Sequence, residues 1–112
     1  MKRGADAEAT AAGFLESRGL KVLARNYRCR LGEIDLVARD GDTTVFVEVR
    51  QRASSAFGGA AASITASKRA RLLKAARHYL SGLHTLPKCR FDALLIEGDP
   101  PRIEWLRNAF GE

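Results

Sequence analysis

The stretch Glu33-Ile34-Asp35-Leu36-Val37-Ala38-Arg39, followed by Asp40-Gly41-Asp42 and then Thr44-Val45-Phe46-Val47-Glu48-Val49-Arg50, decides the fold. Both arms alternate apolar with polar residues around a turn dipeptide, the pattern of a β-hairpin. If Gly41-Asp42 is the loop, Asp35 lies opposite Glu48 and Glu33 opposite Arg50. If Asp40-Gly41 is the loop, the pairs slip but the faces are kept. One face then carries Ile34, Leu36, Ala38, Val45, Val47 and Val49. The other gathers Glu33, Asp35, Glu48 and Arg50 around Val37 and Phe46. Cross-strand acid–base pairs, each contributing about 0.2–1 kcal/mol, account for Glu33 and Arg50. They do not account for Asp35 facing Glu48, because like charges directly opposite repel. A divalent cation relieves that repulsion, and Mg2+ binds through one or two carboxylates completed by water and phosphate oxygens. The pattern leaves both readings open.

Charge is distributed unevenly around this hairpin. The 112-residue chain has 19 Lys and Arg against 13 Asp and Glu, a net charge of +6. From Arg50 to Arg90 there is no acid, and nine basic residues occur: Arg50, Arg52, Lys68, Arg69, Arg71, Lys74, Arg77, Lys88 and Arg90. A solvated helix face is the plainer account of such a run, but solvated helices ordinarily mix signs. A clustered basic face beside carboxylates is the electrostatic footprint of a polyanion binder.

The remaining elements follow from periodicity and punctuation. Residues 5–18 read as a helix ending at Gly19 as C′, with a stripe of Ala12 and Leu15 plus Ala5 or Ala9. Leu20–Leu23 reads as a short strand, and Asn26–Leu31 as a basic connector. Residues 53–66, rich in Ala, Ser and Gly, read as a loop that orders on a ligand. Ser67 is a candidate N-cap for a helix to Ser81 or Gly82. Its buried stripe is Leu72, Ala76, Tyr79, Leu80 and Leu83, with Lys68, Arg71 and Lys74 outside it. Arg90–Ile96 reads as a core strand, and Arg102–Leu106 as the last strand after the Gly98-Asp99-Pro100-Pro101 turn. The order α-β-β-β-α-β-β implies one α/β domain over 1–112 with a mixed sheet flanked by helices.

Several classes are excluded or disfavoured. No apolar run is long enough for a transmembrane helix, and Met1–Asp6 has no secretory apolar core, so a cytoplasmic location is expected. Cys29 and Cys89 make neither a disulfide framework nor a metal spacing. His78 and His84 are expected at the surface. Trp105 and Phe110 are expected in the core or at a dimer contact. Asp92 supports the site from the neighbouring strand or, more simply, caps a turn or pairs with Arg90.

Gly32-Glu33-Ile34-Asp35-Leu36 and Val45-Phe46-Val47-Glu48-Val49-Arg50-Gln51-Arg52 resemble the YraN-type family of small bacterial proteins. So do Gly4, Glu8 and Ala11, Asn26, Phe57-Gly58, Lys68, Arg90-Phe91-Asp92 and Asn108-Ala109-Phe110. That family is similar to the PD-(D/E)XK restriction-endonuclease-like superfamily and, within it, to the archaeal Holliday junction resolvases. The resemblance implies a restriction-endonuclease-like fold and a Mg2+-dependent (or Mn2+-dependent) DNA endonuclease acting on branched DNA, with a homodimer suiting two-fold junctions. It implies that Asp35 and Glu48 bind the metal, joined by Glu8 from the first helix. An acid in a first helical turn is equally favoured by the helix dipole. The lysine of the superfamily's E-x-K falls on Arg50, which supplies charge for phosphate but cannot act as a base. Arg52 shares that face, and Glu33 is an outer-shell partner or a salt-bridge mate of Arg50. Lys68, Arg71 and Lys74 would contact the nucleic-acid backbone, which positions without reading sequence. The alternative is a catalytically inactive nucleic-acid-binding module with the same fold.

Overall fold

The structure is a computed structural model and describes residues 3–52, 65–98 and 100–110. Its elements are α1 (Arg3–Ser17), β1 (Lys21–Cys29), β2 (Gly32–Asp40), β3 (Thr43–Arg52), α2 (Ala66–Ser81), β4 (Lys88–Glu97) and β5 (Arg102–Phe110). They form one mixed sheet in the order β1-β2-β3-β4-β5, in which β3 and β4 are parallel and the other neighbours antiparallel. The parallel pair requires a crossover, and α2 lies within it. This is the α/β architecture and element order expected from the sequence. The Ala/Ser/Gly-rich stretch at 53–66, expected as a loop, falls mostly outside the described residues, which resume at Thr65.

Two apolar layers sandwich the sheet. On one side Ala7, Ala11, Ala12 and Leu15 of α1 pack with Leu36, Ala38, Val45, Val47, Val49, Leu94 and Ile96. On the other, Leu72, Ala75 and Ala76 of α2 pack with Ile34, Val37 and Phe46. Small alanines let α1 approach the sheet closely, and its true stripe is Ala7, Ala11 and Leu15 at i, i+4 spacing, joined by Ala12. Ala9 is exposed instead. The helix ends in a Schellman motif: Gly19 has φ +91, its amide donates to Glu16, and the Leu20 amide donates to Leu15 at 3.1 Å. Under α2, Tyr27, Tyr79, Phe46 and Phe91 form a chain of ring contacts with centroids 5.2, 5.9 and 5.4 Å apart.

Four expectations need correction. Asn26–Leu31 is not a connector: β1 runs to Cys29, and Cys29 pairs with Gly32 across a two-residue Arg30-Leu31 turn. As an edge strand with a register shift near Leu23 and a left-handed Asn26 (φ +52), it lacks clean alternation. Ile34 lies with Val37 on the α2 side, out of step with Leu36 and Ala38; the left-handed Asn26 falls between the Arg25–Leu36 and Tyr27–Ile34 pairs, where the alternation is lost. Thr65, rather than Ser67, caps α2, its hydroxyl accepting the Lys68 amide at 3.2 Å. Leu83 follows the helix end and is 40% exposed rather than part of the stripe.

The hairpin itself closes as the first alternative requires. Asp40 pairs with Thr43, Leu36 pairs with Val47, and Gly41 takes φ +62 as the first loop residue. Continuing that register places Asp35 beside Glu48.

Candidate functional site

Strands β2 and β3 deliver the acids, and α2 delivers the cations. Glu33, Asp35, Glu48, Arg50, Lys68 and Arg71 line one cavity of about 210 Å³. The sequence placed the first four on one face; in the structure all four line this cavity, although Ile34, between Glu33 and Asp35, packs on the α2 side. Asp35 is fixed by accepting the Val49 amide at 2.8 Å, a bond across the strand pair one residue beyond Glu48.

Glu48 is buried, with its side chain about one-tenth exposed. Burial pushes its pKa up to about 8, reinforced by a hydrogen bond from one carboxyl to the other and by the charge of Asp35. Arg50 and Lys68 act in the opposite direction and do not overcome these effects. Near neutral pH the Glu48 carboxyl therefore favours its protonated form, which lessens its repulsion with Asp35 without a cation. Arg50 Nη2 donates to Glu48, while its buried Nε has no partner among the described residues.

Lys68 corrects the helix reading. It sits four residues before Leu72 and seven before Ala75, on the row that faces the sheet. It is half-buried at the cavity and close enough to Glu48 to depress its pKa. Arg71 is exposed at the rim, and exposed Lys74 is not part of the lining. Arg52 closes β3 opposite Glu97, and its side chain lies outside the described residues. Glu33 pairs with Arg28 at 3.3 Å rather than with Arg50, since Arg28 is its direct cross-strand neighbour.

Glu8 stands at the flank of the site without lining the cavity. Its carboxylate accepts Asn26 Nδ2 at 2.7 Å. Partial burial raises its pKa, the Asn26 bond opposes this, and the charges of Asp35 and Glu33 add to the rise. Asn26 and the Val49 amide are the positioning groups that sequence reasoning missed. An asparagine inside a strand segment was the available signal for Asn26, because Asn tolerates left-handed φ. A backbone amide leaves no sequence signal.

Asp92 belongs elsewhere. It is fully buried and accepts Arg90 Nε at 3.1 Å, Trp105 Nε1 at 2.9 Å and the Asn108 amide at 2.9 Å. Arg90 and Arg107 also bind Asp40 at 2.9 and 3.2 Å, near the hairpin tip. Trp105 packs edge-on against Phe14 and borders the α1 core, as expected. Asp92 thus pairs with Arg90 and fastens β4 to β5. His78 and His84 are exposed, and the Tyr27 hydroxyl meets His78 Nδ1.

Asp35 and Glu48 supply hard oxygen donors suited to Mg2+. Among the described residues, no three His, Cys, Asp or Glu side chains converge as a ready metal cluster. A cation held there would take these two carboxylates from the described residues and fill its other positions with water or phosphate oxygens.

Residues 7–96 match the model of the Uncharacterised protein family UPF0102. The chain belongs to this family, the YraN-type proteins. A UPF0102 protein of Nitrosomonas europaea is 60% identical over 98% of the chain and 94% of its own length. One from Nitrosospira multiformis is 56% identical over 96% and 92%. A third, from Cupriavidus metallidurans, is 56% identical over 97% of the chain and 81% of its own length. No helix among the described residues is long and apolar enough to cross a membrane.

Proposed function

We propose that this UPF0102 protein is a Mg2+-dependent nuclease that hydrolyses DNA phosphodiesters, with branched DNA as its preferred substrate. The carrying observation is the pairing of Asp35 with Glu48 in a cavity whose other walls include Arg50, Lys68 and Arg71. Two carboxyl groups are brought together beside three cationic side chains, and a cation with a polyanion would favour the ionised form of Glu48 there.

In this reading Asp35 and Glu48 hold the cation, with Glu8 at the flank. A bound Mg2+ polarises the scissile phosphoryl group and lowers the pKa of water. Arg71 at the rim binds a neighbouring phosphate. Arg50 has one donor committed to Glu48, and its Nε lacks a partner among the described residues. Turned toward a phosphate, its planar fork would hold two oxygens. Lys68, half-buried at the cavity beside Glu48, adds a second positive charge to that of Arg50. The preference for branched DNA rests on the likeness to junction resolvases and on the lack of a sequence-reading helix.

The bond between Arg50 and Glu48 also favours a second reading, a nucleic-acid-binding module whose site is disabled. Cleavage of labelled four-way junction, flap, single-stranded and duplex DNA in Mg2+ or Mn2+ separates the two. The nuclease reading expects cleavage by the wild type and none by Glu48→Ala or Asp35→Ala. Binding without cleavage by the wild type, with cleavage restored in Arg50→Lys, selects the disabled module.

A further inference from the structure

The site cavity is one end of a longer trough. Glu33 and Arg71 line both it and a second cavity of about 410 Å³. Arg30 and Leu31 line both that second cavity and a third of about 360 Å³, which ends at His78. The trough thus runs beside α2, from Lys68 past Arg71 to His78, with the β1–β2 turn as its other bank.

We infer that this trough carries the backbone of a nucleic-acid strand away from the Asp35/Glu48 site, with Arg30 and Arg71 as phosphate-binding residues. The inference rests on the nucleic-acid reading above. Three observations support it. Arg30 and Arg71 are exposed, and neither has a carboxylate partner among the described residues. Glu33, the acid at the junction of the first two cavities, is neutralised by Arg28 at 3.3 Å. The two banks are also fastened together. A Cβ on Gly32 would lie 2.4 Å from the Arg71 carbonyl oxygen, so the turn seats directly on the helix backbone. A rigid cleft lined by one sign of charge focuses potential on a polyanion.

Length gives the inference a specific signature. Lys68 and His78 are ten residues apart on one helix, about 15 Å at a rise of 1.5 Å. That distance spans about four stacked nucleotides at 3.4 Å each. Arg30 borders the second and third cavities and does not line the site cavity, so it is reached only by a strand that runs out of the site.

The test is fluorescence anisotropy with labelled single-stranded trinucleotide and dodecanucleotide in EDTA, where hydrolysis does not proceed. Wild type is compared with Arg30→Ala and with Arg39→Ala, which removes an equal charge from exposed β2 outside the trough. The expected result is a several-fold loss of dodecanucleotide affinity in Arg30→Ala alone. The slope of log affinity against log salt should fall by about 0.7, one phosphate contact on a single strand. Trinucleotide affinity should not change. An Arg30→Ala protein that binds the dodecanucleotide like wild type, or is weakened no more than Arg39→Ala, overturns the trough. Failure of the wild type to bind either oligonucleotide overturns the nucleic-acid reading beneath it.

Discussion

Asp35 accepts a hydrogen bond from the Val49 amide at 2.8 Å, reaching across to the neighbouring strand one residue past Glu48. This single contact turns a register relationship into a site. It holds the Asp35 carboxylate beside the buried Glu48 carboxylate instead of letting the two diverge into solvent. The consequence is electrostatic, and it is measurable without any substrate.

Glu48 has a folded-state pKa of about 8 against an ordinary value of 4.5. Between those values the folded chain keeps a proton that the unfolded chain has lost. The contribution of Glu48 to stability therefore falls as pH rises through this window, and levels off above it. Glu48→Gln removes the titration. Thermal melts in EDTA should show the variant gaining on wild type as pH increases from 5 toward 8, on the order of several degrees by the upper end. A constant offset between the two proteins would show that Glu48 is not protonated in the folded state.

Gly32 is required for close approach, since its φ is not left-handed. The 2.4 Å separation between a Cβ there and the Arg71 oxygen forces the β1–β2 turn away from α2. Gly32→Ala should lower the urea-unfolding free energy by roughly 1–3 kcal/mol, the usual cost of overpacking. It should also weaken whatever binding depends on Arg71. An unchanged unfolding midpoint would contradict the packing.

Asn26 separates conformation from hydrogen bonding. Its φ of +52 suits glycine, and its side chain donates to Glu8. Asn26→Gly should keep the strand geometry, whereas Asn26→Ala should cost an additional amount of about 1 kcal/mol from the left-handed backbone. In both variants the Glu8 pKa should rise further, because the lost bond favours its ionised form. Carbon-detected NMR titration of Glu8 would show this, and a falling pKa would contradict it.

Asp92 should behave as a structural residue. Its buried carboxylate balances Arg90 and receives Trp105 and Asn108. Asp92→Ala should destabilise by about 3–5 kcal/mol, as expected when one partner of a buried pair is removed. Divalent-cation binding by the fraction that remains folded should be intact. Selective loss of that binding with normal stability would place Asp92 in the site.

Much of this was legible in the sequence because the hairpin obeys a two-residue period. The alternation placed Glu33, Asp35, Glu48 and Arg50 on one face, and of the two loops left open the structure takes Gly41-Asp42. Reading failed where the backbone departs from the period. Asn26 takes a left-handed φ within β1, Ile34 packs in the α2 layer out of step with Leu36, and the broken alternation hides the strand identity of Asn26–Cys29. Lys68 was misplaced for another reason. Its charge suggested solvent, but a lysine stem can cover apolar surface while its head reaches a carboxylate. The Glu33 and Arg50 pairing failed because nearer partners exist, Arg28 for the one and Glu48 for the other.

The most direct test of the central claim is the binding of Mn2+ to the protein at pH 8.5, followed by the electron paramagnetic resonance signal of the free ion. Wild type is compared with Asp35→Asn and Glu48→Gln, each verified as folded by circular dichroism. The account predicts one saturable site in wild type whose apparent affinity drops toward tenfold for each pH unit below about 8, as the cation must displace the Glu48 proton. It predicts loss of that site in both variants. Equal Mn2+ binding by all three proteins would contradict it.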